Sequence, residues 1–364
     1  MITLKALLNQ LEIFIIFLAI LFKYLLNAGI SQNYLYILIA IMMFLTLMSL
    51  YYKKMTKNQL LKCSIFLIIS AYFVVVNKDV NFLISFLLAL VCFEKDERQF
   101  IKTFLLSSII LYLVTIILGC TNVLESHNLY RTTDDGIKIR YSLGFVHPNS
   151  VFLFFLPIAF AGYYLYGERL LYKIILLVSS VILFILSDCR TGFAIIILLL
   201  VLDALIKERG ALKIKKVLPY LFIIFTIVSV FIAVKCGDDL DNVITNALSD
   251  RPYYWKKYID NGLMFTLVGN QEIKQYFIDN FYILLLVGYG VIGYLIYMYS
   301  YYKSLKIVKP DKRITLITLL FIIYGLFESN VIIGSIQFVF ALQLKELITY
   351  SKKKSISNKQ VDSK

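Results

Sequence analysis

Apolar runs follow one another along the whole chain, at roughly 6–26, 34–52, 60–76, 80–93, 100–118, 150–166, 174–187, 192–206, 217–234, 281–300, 314–328 and 331–349. A run of about 20 residues matches the hydrocarbon thickness of a bilayer. Inside lipid every backbone N–H and C=O must be bonded within the protein, which limits the chain to helices or a closed barrel. These runs are continuous rather than alternating, so helices are the expectation. With 60% of its 364 residues apolar, a soluble fold would have nowhere to bury the surface. The expected fold class is an all-α integral membrane protein with about twelve transmembrane helices in a single polytopic domain. The run at 80–93 falls short of a full crossing, as do the pairs flanking SDCRTG and ESN.

The loops set an orientation. Loops on one side, with Lys5, Lys345 near the end of the last run and the basic tail at 350–364, carry 26 of the 37 Lys and Arg; the opposite loops carry ten, and Lys23 lies in the first span. The positive-inside bias puts both termini in the cytoplasm. It places the 119–149 loop, the SDCRTG turn, the 235–280 loop and the ESN turn on the outer face of the cell membrane. The net charge of +14 is thus a consequence of topology, and no nucleic-acid partner is expected. The first apolar run lacks a small-residue cleavage site and is read as a retained span. Residues 1–118 read as scaffold.

Five cysteines form no CxxC pair and two histidines are too few for a histidine metal site, so neither a metal nor a cofactor is expected. Cys120, Cys189 and Cys236 share the outer side, where a disulfide is allowed but not implied.

Polar chemistry gathers after residue 119. GFVHPNS (144–150) opens a span: Pro148 suits a first helical turn, Asn149 and Ser150 offer caps, and His147 stands beside a helix N-terminus that attracts anions. In SDCRTG, Asp188 and Arg190 lie between two apolar runs, where charges are costly unless paired or used. Their mutual pairing is one expectation. Glu328 in FESN has no cation nearby in sequence, and Arg190 is its expected partner. The 235–280 loop is the longest polar stretch, and loops of this length usually have a use. Within it, Ser249 or Asp250 is positioned to cap a short helix on which Arg251, Trp255 and Tyr258 share a face. An interfacial helix anchored by Trp, Tyr and Lys accounts for the same residues. Asp279 and Asn280 precede an apolar run, where either a helix cap or a poised carboxylate fits.

Taken together, HPN before a span, S-x-C-R-T-G, a large outer loop with R-x-x-x-W, DN-x-Y and a late E-S resemble the Wzy-type polysaccharide repeat-unit polymerases, within the O-antigen polymerase and ligase superfamily. The resemblance covers roughly residues 140–335. It implies a GT-C-like, metal-independent glycosyltransferase for capsular or exopolysaccharide synthesis, transferring a glycan from undecaprenyl pyrophosphate onto a new lipid-linked repeat unit. It implies pyrophosphate binding by Arg190 and Arg251; Arg140, Asn149, Asn280, Trp255 and Tyr258 are further candidates for contacts to the pyrophosphate or sugar. Asp279, Glu328 and His147 are the candidate catalytic groups, with Asp279 or Glu328 as the general base for the acceptor hydroxyl. Ligases of the superfamily usually have a histidine near the DN-x-Y position, where this chain has Asp279. Implied partners are the lipid-linked donor and acceptor, membrane lipids, and chain-length regulator and flippase proteins. A flippase or transporter of lipid-linked oligosaccharide, an O-antigen-type ligase and an O-acetyltransferase-like membrane enzyme are the competing readings.

Overall fold

The computed structural model describes residues 4–93, 95–133, 136–238, 245, 248, 250–260, 266–270, 279–308, 311–329 and 338–350. Its helices are α1 (Leu4–Asn27), α2 (Gln32–Tyr51), α3 (Lys57–Val76), α4 (Asn81–Val91), α5 (Glu97–Cys120), α6 (Pro148–Tyr166), α7 (Leu170–Ser187), α8 (Arg190–Leu205) and α9 (Glu208–Cys236). They continue as α10 (Arg251–Tyr258), α11 (Phe281–Gly288), α12 (Gly290–Ile307), α13 (Lys312–Tyr324) and α14 (Phe338–Thr349). Between α5 and α6 an antiparallel hairpin pairs β1 (Leu129–Thr133) with β2 (Gly136–Arg140). The hairpin is the only β-sheet among the described residues.

Seven helices (α1, α2, α3, α5, α6, α7 and α9) are long and apolar enough to cross a membrane, which makes the chain multi-pass by length and composition. The other five apolar runs hold shorter or broken helices. α4 has 11 residues, α8 has 16 and α13 has 13. The 281–300 run divides at Tyr289 into α11 and α12, because Gly290 adopts φ +70 with the Gly269 backbone against it. A Cβ at Gly290 would lie 2.2 Å from the Gly269 nitrogen, so the break requires glycine. Of the last run, α14 is described and residues 330–337 lie outside the described residues, as does the basic tail from 351.

α4 and α6 are buried around nearly their whole circumference, as expected of central helices. One core cluster rests on α1, α5, α6 and α8, the other on α3, α9, α11 and α12, and both draw on α4, α13 and α14.

The two ends of the bundle differ in chemistry. At one end, basic side chains cap helix C-termini, whose last carbonyls lack partners and carry partial negative charge. Lys53 Nζ reaches the Leu90 and Val91 carbonyls at 3.2 and 3.1 Å, and Lys62 reaches that of Leu347 at 2.9 Å. Lys312 reaches the Asp203 carbonyl at 2.8 Å and Arg313 that of Tyr164 at 2.6 Å. The opposite end collects the hairpin, the α7–α8 turn, α10 and the turn after α13.

Candidate functional site

Strand alternation puts Arg131, Lys138 and Arg140 on one face of the hairpin. Arg131 stands directly opposite Lys138, an arrangement that repels unless an anion lies between them. Asp188 is that anion. Its carboxylate accepts from Lys138 at 3.0 Å and from Arg131 at 3.3 Å, and the residue is only 5% exposed. Burial alone would raise its pKa, but Lys138, Arg190 and Arg131 outweigh it and hold the carboxyl below its usual range. The expected Asp188–Arg190 ion pair does not form. Asp188 ends α7 in a left-handed conformation with φ 48, whereas Arg190 begins α8.

Arg140 ties the hairpin to two helix ends. Its Nε donates to the Ser187 carbonyl at 3.1 Å, and its Nη2 donates to Asn149 Oδ1 at 2.7 Å. The Tyr141 N–H bonds the Leu186 carbonyl at 2.9 Å, so the hairpin satisfies carbonyls that α7 leaves open. The loop returns to α6 through a backbone approach of Gly144, at φ +85, to Gly119; a Cβ on Gly144 would lie 2.5 Å from the Thr115 carbonyl oxygen.

His147 is the N-cap of α6, its Nδ1 accepting the Asn149 N–H at 3.0 Å. This bond assigns the ring proton to Nε2. Burial and then the Arg140 charge lower its pKa, so the ring is neutral at physiological pH.

A cleft of about 410 Å³ opens between these elements, lined by Arg131, Arg140, Asn149, Asp188, Arg190, Thr191 and Arg251 among others. Four guanidiniums face one carboxylate there. Arg190 is exposed at the first turn of α8 and makes no hydrogen bond or ion pair with a described residue. The N-termini of α6 and α8 both border the cleft, adding partial positive charge. Such a surface suits an anion with several oxygens, because the guanidinium fork matches phosphate geometry.

Arg251 links this cleft to a second group. Its Nε donates to Asp279 Oδ2, its guanidinium lies 5.8 Å from the Phe327 ring centre, and the Trp255 indole N–H donates to Asp279 Oδ1 at 3.1 Å. Trp255 and Tyr258 do share a face of α10 with Arg251. That face is buried against Ala233 of α9 and Ile283 and Val287 of α11, leaving Trp255 2% exposed. The cap of α10 differs from expectation: Asp250 is left-handed and gives no side-chain bond, and Ser249 lies outside the described residues. Asn280, not Asp279, caps α11, accepting from the Ile283 N–H at 3.0 Å. It also donates to Ser229 Oγ at 3.0 Å and to the Leu326 carbonyl at 3.2 Å.

Glu328 stands in the turn past the end of α13, outside the spanning helices and 4% exposed. Burial first, and Asp279 second, raise its pKa to about 8, with Arg251 opposing. The cation acting on Glu328 is therefore Arg251 rather than the expected Arg190. Sequence reasoning missed Arg131 and Lys138. The signal was present in LYRTTDDGIKIR, an alternating pattern around a DG turn with basic residues at every second position of the second strand. All five cysteines are free, and Cys189 and Cys236 are buried.

Comparison with family models, with curated proteins and with solved structures finds no match to this chain.

Proposed function

We propose that the chain is a polymerase of lipid-linked oligosaccharide repeat units, of the Wzy type and GT-C-like in fold, with the arginine cleft taking the donor pyrophosphate. One observation carries the reading: Arg131 and Arg140 of the hairpin, Arg190 of α8 and Arg251 of α10 come to one cleft, at the end that the loop charges assign to the outer face. In the reaction, the acceptor sugar hydroxyl attacks the anomeric carbon of the donor. The bond from that carbon to the pyrophosphate oxygen breaks, and its electron pair leaves with the pyrophosphate. The arginines stabilise the charge that grows on the leaving oxygens, and the acceptor proton passes to a carboxylate. Glu328 suits that step better than Asp279. Asp279 is already committed to Arg251 and Trp255, whereas the raised pKa of Glu328 makes its ionised form the stronger base.

The test is reconstitution of the purified chain with a single lipid-linked repeat unit. A polymerase lengthens the glycan on its polyprenyl carrier. A flippase moves the unit across the bilayer without lengthening it, and a ligase moves the glycan to a different acceptor. Either of the latter products overturns the reading.

A further inference from the structure

At the end of the bundle away from the arginine cleft, α9 and α12 frame a groove of about 520 Å³. Its lining includes Lys215, Lys216 and Lys306 with Leu212, Tyr220 and Leu305, and no carboxylate is among the described residues that line it. Lys215 bonds the Val308 carbonyl, which holds the two helices together there. Lys306 bonds the Tyr302 hydroxyl and sits 4.2 Å from that ring's centre, while Tyr302 meets Tyr220 edge-on at 6.1 Å. Lys216 is exposed and makes no hydrogen bond or ion pair with a described residue.

Two apolar stripes lead away from these lysines. On α9, Tyr220, Ile223 and Ile227 follow Lys216 at helical spacing; on α12, Tyr302, Tyr299 and Leu295 precede Lys306 at the same spacing. Most of these apolar side chains are well exposed, Ile227 and Tyr299 by 62% and 60%. We infer that this groove is a binding site for one anionic phospholipid, with the lysines on its phosphate and the two stripes along its acyl chains. Three cations without a carboxylate select a negative headgroup over a zwitterionic one. The stripes favour a lipid over a free anion, because a dissolved phosphate gains nothing from them. Lysine stems pack on apolar surface while the ammonium reaches the headgroup plane, which is the geometry this position requires. The site does not depend on the activity proposed for the cleft.

The test uses the purified full-length chain in neutral detergent, titrated with phosphatidylglycerol, phosphatidylcholine or inorganic phosphate and read by native mass spectrometry. Each lysine near an anionic headgroup contributes roughly a fivefold gain, so K216Q/K306Q should bind phosphatidylglycerol about thirtyfold more weakly. Its thermal midpoint should match the parent, and Lys102→Gln, elsewhere on the chain, should bind normally. Equal binding by the double variant overturns the inference, as does equal retention of phosphatidylcholine. An equal loss in Lys102→Gln would show diffuse charge attraction and also overturn it. Displacement of the lipid by millimolar inorganic phosphate would do the same, marking a bare phosphate site.

Discussion

The Nε–H of Arg251 donates to one carboxylate oxygen of Asp279, while the indole of Trp255 donates to the other. One residue of α10 thus lines the arginine cleft and also fixes the carboxylate that precedes α11. With Nε committed to Asp279, the guanidinium retains its terminal nitrogens for a ligand in the cleft.

A lysine at this position must choose. Its single ammonium can pair with Asp279 or serve the cleft, but it lacks a fork for both. Arg251→Lys should therefore accumulate single lipid-linked units and make little long polymer at normal protein levels. A lost charge-assisted contact is worth roughly 1.5–3 kcal/mol, or about one to two powers of ten in rate. The measurement is a chromatographic profile of lipid-linked glycans beside an immunoblot. Near-normal polymer from Arg251→Lys, with a damaged Arg251→Ala, would show that charge alone suffices.

Asp188 holds the hairpin to the α7–α8 turn. Asp188→Asn leaves Arg131 and Lys138 opposite each other with no anion between them. Both cations are about two-fifths exposed, so screening limits the loss to about 1 kcal/mol. The expected signature is local: faster tryptic cleavage after Arg131 and Lys138, with a nearly unchanged thermal midpoint. Equal cleavage rates in variant and parent would remove Asp188 as the anchor.

For His147, two substitutions separate capping from site chemistry. Asparagine caps a helix as well as any residue, whereas alanine costs about 1 kcal/mol. His147→Asn should keep normal abundance yet make less polymer, because it keeps a helix cap but removes the imidazole bonded to Asn149 of the cleft. Full polymer length in His147→Asn would limit the residue to its bond with the Asn149 N–H.

Much of this site was legible in the chain. Arg190 follows from its place in a short turn between two apolar runs, where a cation is costly without a use, and Arg251 from its helix face in the long loop, whereas no local argument singled out Arg140. Pairings were less legible. Asp188 and Arg190 are two residues apart but belong to different helices, and the left-handed Asp188 separates them. Helical spacing put Arg251, Trp255 and Tyr258 on one face, but spacing carries no information about which neighbours cover it. The effect of the Arg251 charge on Glu328 spans 77 residues of sequence, counted as 328 minus 251, and arises only from packing. The break at Tyr289–Gly290 likewise depends on Gly269, whose approach no local pattern announces.

Glu328 gives the sharpest pH test. Its carboxyl is raised from 4.5 to about 8 by burial and then by Asp279. A carboxyl whose folded pKa lies above its unfolded one contributes stability that is complete below the unfolded value. That contribution is lost as pH rises through the folded value, here between about 4.5 and about 8. Glu328→Gln removes the titration while keeping the shape. Its thermal midpoint should equal the parent's at about pH 4 or below and exceed it at pH 9, where the parent must carry a buried carboxylate. Activity should run the other way. If ionised Glu328 takes the acceptor proton, wild-type polymerisation should climb with pH towards a limb near 8, and Glu328→Gln should be slow and lack that limb. Parallel pH series of both proteins in liposomes, with chain length as the readout, decide the matter. Normal chain length in Glu328→Gln, or the same limb in both proteins, would assign the proton to another acceptor and leave Glu328 as a packing group.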